Sequence, residues 1–209
     1  MTIRLSFAPL ALAALLLAAG CSDDEAGTPT GPTPAASEQM EPTADVPGMP
    51  SEMPDDAPKV EQPIENLDRF MSAPCDALTR SQAAEIGLDD DIQTNLDNAQ
   101  GPQCALSNEK RDRLTIVFSK NQPLGIAGLY LNKQQSPDFY AYFEPVDIAG
   151  HPGVFADVAD DRNDGLCAMS VGLTDKQIAA MVIDIKGETD PCSTLKKAAE
   201  AAIQTMKKG

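Results

Sequence analysis

Five cysteines constrain this chain more than any other feature, because the first differs in its setting from the other four. Cys21 directly follows an apolar or small-residue run over residues 7–20, and Arg4 is the only charged residue that precedes it. A run of this length fits the apolar part of a secretory signal peptide, whereas a membrane-spanning helix needs about 20 apolar residues. The sequence therefore predicts export, with residues 1–20 as the signal peptide.

The residues around Cys21 predict a lipid anchor. Ala18, Ala19 and Gly20 are small, as a signal peptidase requires. The stretch resembles the bacterial lipobox, in which the cysteine thiol receives diacylglycerol and the cysteine becomes the new N-terminus. Two or more acyl chains hold a protein stably on a membrane. We expect Cys21 to be lipidated and the mature chain to sit on the extracytoplasmic face of the cell membrane; an ordinary secretory signal is the alternative.

Residues 21–65 are rich in proline and acid and contain a single base, Lys59. A segment of this composition cannot bury enough apolar surface to offset the entropy lost on ordering. We expect a disordered tether without core contacts, which holds a domain over residues 66–209 away from the membrane. The chain carries a formal charge of −16, which argues against nucleic acid as a partner.

The other cysteines are Cys75, Cys104, Cys167 and Cys192. Four cysteines in an exported domain predict two disulfides, for which three pairings are possible. A redox or zinc role is disfavoured because the sequence lacks a C-x-x-C motif and the spacings are wide.

Hydrophobic periodicity predicts an α+β fold, with an antiparallel sheet of about five or six strands and helices packed on one face. The expected strands are QCALSN, RLTIVFS, FYAYFEPVDI, GVFADV, LCAMSVGL and IAAMVIDIK. Short helices are expected in PCDALTRSQAAEIGL, where Thr79 and Gln82 have the spacing of a capping box, and another in PLGIAGLYLN. The clearest helix is PCSTLKKAAEAAIQTMKK, whose apolar stripe comprises Leu195, Ala198, Ala199, Ala202, Ile203 and Met206.

The predicted hairpin selects one disulfide pairing. Cys167 begins its first arm and Cys192 follows its second arm, and an antiparallel turn brings those two ends together. The hairpin therefore favours Cys167–Cys192, which leaves Cys75–Cys104.

Several segments occur together in one order: PCDALT, a strand beginning at Cys104, FEPVDIAGHPGVFAD, LCAMSVGL and DPCSTLKKAAEAAIQTM. In these segments the chain resembles an actinobacterial lipoprotein family classed as domain of unknown function 3558, which includes Lpr-type mycobacterial lipoproteins. The resemblance implies a membrane-anchored, secreted α+β domain. It implies no reaction.

Few residues are candidates for chemistry. His151, in the turn sequence AGHPG, is expected to be a turn residue between two strands. The sequence lacks G-x-S-x-G and H-E-x-x-H motifs, so we expect no enzyme activity and no cofactor. The acidic stretch DVADDRNDG does not match an EF-hand loop, which leaves a non-standard calcium site at Asp157, Asp160, Asp161 and Asp164 as an alternative to a plain surface turn.

Tyr140 and Tyr142 are the candidate ligand or partner surface, since strand alternation would turn both to the same side. We therefore expect a non-enzymatic binding or scaffold module of the cell envelope, whose partner is an unknown envelope protein. One alternative is a carrier of a lipid or other apolar ligand. The other alternative is a hydrolase of cell-wall polymers.

Overall fold

The computed structural model describes Pro54, residues 56–120 and residues 122–209. The predicted signal peptide over residues 1–20, the predicted lipidation site Cys21 and most of the predicted tether lie outside these described residues.

Seven strands and four α-helices form within the described residues. The strands are β1 (Asp91–Asn95), β2 (Gln103–Ser107), β3 (Arg113–Phe118), β4 (Tyr142–Ile148), β5 (His151–Asp157), β6 (Leu166–Thr174) and β7 (Gln177–Asp184). The helices are α1 (Leu67–Ser72), α2 (Arg80–Glu85), α3 (Ala127–Gln135) and α4 (Pro191–Lys208). A short 3-10 helix covers Pro74–Ala77 and another covers Arg162–Asp164. No helix in this part of the chain has both the length and the apolar character needed to cross a membrane.

The strands form one antiparallel sheet in the order β1-β2-β3-β7-β6-β5-β4. The predicted α+β class is confirmed, but the expected five or six strands are wrong, because the sheet has seven. The strand that the sequence did not predict is β1, which lies at the edge and is exposed at four of its five positions. Its sequence, DIQTN, has no apolar alternation, so pairing with β2 rather than its own pattern makes it a strand.

The main hydrophobic core lies between one face of the sheet and α4. The predicted apolar stripe of α4 is fully buried there, against inward-facing side chains that include Met169 of β6 and Met181 of β7. The short helices α1 and α2 join the same core through Phe70 and Ala83. The predicted capping box is also present, since Thr79 and Gln82 each accept a hydrogen bond from the other's backbone N–H at the start of α2.

Both predicted disulfides are confirmed. Cys75 bonds to Cys104 and Cys167 bonds to Cys192, with Cα–Cα distances of 4.9 Å and 5.3 Å. In each pair one cysteine follows a proline at the start of a helix and the other lies in a strand. The bonds therefore fasten helical segments to the core face of the sheet.

The folded part begins before the predicted boundary at residue 66. Residues 56–64, which we call the strap, cross the end of the β6–β7 hairpin. The Val60 N–H donates to Asp175 Oδ1 at 3.1 Å, and the Ile64 N–H donates to the Leu173 carbonyl at 2.9 Å. Val60 and Ile64 are both buried, so the expectation of a tether without core contacts is wrong for this segment. These two buried apolar residues are not apparent from the average composition of residues 21–65, which is rich in proline and acid.

The helices do not all pack on one face of the sheet, which corrects the expectation that they would. Ile126, Leu129 and Tyr130, in and just before α3, form a smaller cluster with Val154 of β5 and Ile178 of β7. These two strand residues point away from α4, since their neighbours Phe155 and Ala179 belong to the main core. Helix α3 therefore covers part of the opposite side of the sheet.

Candidate ligand and partner groove

The side of the sheet opposite α4 carries small and β-branched residues. Alternation along β3 sends Leu114 and Ile116 into the main core and so turns Thr115 and Val117 to the other side. We call the part of this side formed by β2, β3, β6 and β7 the open face. It comprises Ala105, Thr115, Val117, Ala168, Ser170, Ala180 and Val182, which the strand register places next to one another. Of the helices in the described residues, α3 alone packs on this side.

A groove of about 390 Å³ lies on the open face beside α3. The strands provide its floor, α3 provides one wall, and loops that flank the strands provide the rest. The lining residues are Gln100, Val117, Ser119, Gln122, Leu129, Tyr140, Ala156, Asp157, Val158, Ser170, Ile178 and Ala180. The floor is therefore mostly apolar, and hydroxyl and amide groups surround it.

Tyr140 is fixed in the wall of the groove by contacts on two sides. Asn132 of α3 donates an Nδ2 hydrogen bond to the Tyr140 hydroxyl at 3.3 Å. The ring meets Phe139 edge-on at 4.9 Å between centroids and lies 5.3 Å from the ring of Phe143. Burial raises the pKa of Tyr140, although the Asn132 hydrogen bond opposes this shift, so the phenol stays neutral near pH 7.

Tyr142 does not share a surface with Tyr140, which corrects the predicted pair. Its side chain is 6% exposed and lies in the main core, where the hydroxyl accepts the Ala168 N–H at 3.1 Å. The Arg162 guanidinium stacks 4.3 Å above its ring. The predicted pair assumed that both tyrosines lie in one strand. Because β4 begins at Tyr142, Tyr140 precedes the strand, and the alternation of side chains does not extend to it.

One exposed apolar side chain lines this groove, and two more lie near residues that line it. The described residues include four exposed large hydrophobic side chains, of which Val158 is 60% exposed and lines the groove. Phe139 is 48% exposed and packs on Tyr140, while Val182 is 38% exposed and lies on the open face two residues from Ala180. The fourth, Leu96, does not line the groove. Adjacent exposed apolar groups are typical of an interaction site, whereas single ones are common on any surface.

The groove carries little charge. Asp157 is the only charged residue among those that line it, and its Oδ1 accepts the Val158 N–H at 2.7 Å. Because none of the described residues that line the groove is a cation, an anionic group finds no partner among them. The lining suits an uncharged, largely apolar body that also makes hydrogen bonds to amide and hydroxyl groups.

His151 lies outside the groove and is not the turn residue that we expected. The turn before β5 is made by Ala149 and Gly150, whose φ angles are +53° and +84°. His151 is therefore the first residue of β5 and is fully buried, with Nδ1 2.8 Å from the Gly172 carbonyl. Since a carbonyl only accepts, Nδ1 carries the proton, and Nε2 has no hydrogen-bond partner among the described residues. Burial lowers the pKa of His151.

The four aspartates of the alternative calcium site do not form a ligand set. Asp160 makes two hydrogen bonds of 2.7 Å to the Arg162 guanidinium, which also contacts Glu144 at 2.9 Å. The described residues contain no group of three or more acidic, histidine or cysteine side chains that could hold a metal ion. The stretch instead ties the β5–β6 connection to β4 through Arg162.

Comparison with known proteins gives one match. The model of a family described as "Protein of unknown function (DUF3558)" matches residues 16–205. No curated protein and no solved structure matches the chain.

Proposed function

The chain belongs to the DUF3558 family of proteins of unknown function, and we propose that it is a membrane-anchored cell-envelope lipoprotein that acts as a non-enzymatic binding or scaffold module. The open face of the sheet is its binding surface. The groove beside α3 carries this proposal, because the exposed Val158 side chain, an apolar floor and the fixed Tyr140 hydroxyl lie together there.

The sequence supports the anchor and the location. The apolar run before Cys21 and the small residues next to it have the pattern of a bacterial lipoprotein signal, and the family resemblance is to actinobacterial lipoproteins. Lipidation at Cys21 places the folded domain on the extracytoplasmic face of the membrane. Two disulfides in the folded domain suit an oxidising compartment.

The groove also supports the first alternative, a carrier of a lipid or other apolar ligand. Its volume of about 390 Å³ falls within the range of small-molecule pockets. The groove, however, opens on the sheet surface. In the described residues, both hydrophobic clusters consist of side chains that pack against one another. A partner that covers the face therefore fits the geometry better than a ligand that is enclosed by it.

The second alternative, a cell-wall hydrolase, has the least support. Glycoside hydrolysis uses a pair of carboxyl groups on either side of the scissile bond. The groove is lined by one carboxylate, Asp157, which already accepts a backbone hydrogen bond.

Native mass spectrometry of the full chain, extracted from its own host in a mild detergent, tests the binding role. We expect a bound partner that is lost when Val158 is replaced by Asp, since a charge at this position opposes an apolar contact. Leu96→Asp is the matched control, because Leu96 is similarly exposed but does not line the groove. A bound lipid would favour the carrier over the scaffold. Equal loss in both variants would contradict the assignment of the groove.

A further inference from the structure

A second pocket, of about 360 Å³, lies at the end of the open face, around the β2–β3 turn. Its lining residues are Ser107, Asn108, Arg111, Arg113 and Asp184. The register pairs Arg113 with Ser107 on one side and with Asp184 on the other, so Arg113 shares the open face with Thr115 and Val117. Asp184 and Ala180 are four residues apart on β7, which places this pocket roughly 13 Å from the groove floor.

Both arginines of this pocket are without an anionic partner in the described residues. Asp112 lies between them in sequence, but it accepts hydrogen bonds from Asn108 Nδ2 and from the Lys186 N–H, each at 3.0 Å. Asp184 forms an ion pair with Lys186 at 2.7 Å. No ion pair or side-chain hydrogen bond within the described residues engages Arg111 or Arg113, whereas Arg162 binds two carboxylates. The two guanidinium groups are therefore available to an external anion.

The backbone of Arg111 adopts a conformation that does not favour arginine. Its φ angle is +69°, a left-handed conformation that glycine and asparagine adopt more readily than other residues. The Arg111 N–H donates to the Asn108 carbonyl at 2.9 Å, so this position closes the turn between β2 and β3. A glycine would make the same turn with less strain. What arginine adds at this position, compared with glycine, is a side chain that lines the pocket.

We infer that the Arg111–Arg113 pocket binds the phosphate or carboxylate headgroup of an anionic amphiphile, whose apolar body lies along the open face towards the groove. Guanidinium groups bind both oxyanions through paired hydrogen bonds. Thr115, Ala168 and Val182 lie on the face between pocket and groove and carry no charge. None of the described residues that line the groove is a cation that could bind the anion instead. The inference rests on the proposal that the open face is the binding surface.

Isothermal titration calorimetry with dodecyl phosphate, below its critical micelle concentration, tests this inference. The protein is the secreted full chain carrying Cys21→Ser, so that no detergent is needed. We expect Arg111→Gly and Arg113→Gln each to weaken binding at least tenfold. Lys110→Gln removes the same charge from a neighbour that does not line the pocket, and should stay within twofold of the parent. Arg111→Gly should unfold at a temperature no lower than the parent, so lost binding would not reflect a damaged fold.

Two further ligands separate the headgroup from the chain. Inorganic phosphate should bind more weakly than dodecyl phosphate, because it lacks the apolar contact. Dodecyl maltoside, which has a neutral headgroup, should bind equally to the parent and to Arg111→Gly. If dodecyl phosphate binds the two arginine variants as well as it binds the parent, or does not bind at all, the inference is overturned. Neither result bears on the proposed function, which is tested separately by the loss of a partner in Val158→Asp.

Discussion

His151 makes the stability of the domain depend on pH at the scale of a single residue. The ring is buried, and burial lowers its pKa below the ordinary 6.5, although the hydrogen bond to Gly172 opposes the shift. In the unfolded chain His151 becomes protonated as the pH falls below about 6.5. In the folded chain it stays neutral until the pH reaches its lower, folded-state pKa. Stability is therefore full above pH 6.5 and falls as the pH drops below it, until the folded pKa is reached.

Urea unfolding at pH 7 and pH 5 measures this effect. We expect the wild-type chain to be less stable at pH 5, and His151→Asn to lose that part of the difference, since an amide can donate to the Gly172 carbonyl without titrating. The titration of Asp112 and Asp160 does not account for the difference in stability between pH 7 and pH 5. Their pKa values are lowered from 3.8, mainly by the side chains of Asn108 and Arg162 respectively, so the stability they provide is lost only in more acid solution. An unchanged pH difference in His151→Asn would contradict this account.

The residues of the groove were only partly predictable from the sequence. Tyr140 was a candidate and lines the groove, whereas Tyr142 was paired with it wrongly, because the start of β4 sets the alternation. The remaining lining residues come from four strands, α3 and several loops, and no local pattern marks residues that only the sheet register brings together. In the second pocket, Arg111 occupies a turn position whose backbone conformation favours glycine. Only the φ angle in the structure reveals this, so the sequence alone marked neither arginine.

At the scale of elements, the strap has more influence on stability than its composition suggests. Ile64 is 4% exposed and belongs to the main core, and its backbone pairs with Leu173. Ile64→Ala should therefore lower the free energy of unfolding by about 2–5 kcal/mol, as for other large-to-small changes in a core.

Glu61→Ala is the control for this change, because Glu61 lies in the same strap and is exposed. Denaturant unfolding of the two variants, measured by circular dichroism, compares them directly. If both variants lose the same small amount of stability, the strap is not part of the cooperative fold.

The elements that the sequence predicted correctly are those with their own periodicity or a covalent link. Helix α4 shows a helical apolar stripe, and the β6–β7 hairpin fixed the cysteine pairing. The missed features depend on tertiary structure. Strand β1 is polar and forms by pairing with β2, and α3 has apolar residues that can cover either side of a sheet. Only the packed structure shows which side it covers.

At the scale of the whole molecule, the cysteines divide into an anchor and a framework. Cys21→Ser should move the protein from the membrane fraction to the soluble fraction without changing the stability of the domain, since the sequence predicts Cys21 at the start of a tether that precedes the domain. Cys192→Ser should leave the protein on the membrane but lower its free energy of unfolding by about 2–5 kcal/mol and release Cys167 as a free thiol. Membrane fractionation and thiol labelling of the denatured chain check both results. Sedimentation of Cys21→Ser with the membranes would contradict lipidation at this residue.

We propose that this protein meets its partner at the open face, and photo-crosslinking in intact cells distinguishes this face from the opposite side of the domain. One full-length variant carries p-benzoyl-phenylalanine in place of Val158, at the groove. The other carries it in place of Lys197, which is exposed on α4 against the opposite side of the sheet. We expect a discrete adduct from position 158 and none from position 197. The same adduct from both positions, or an adduct from position 197 alone, would contradict it.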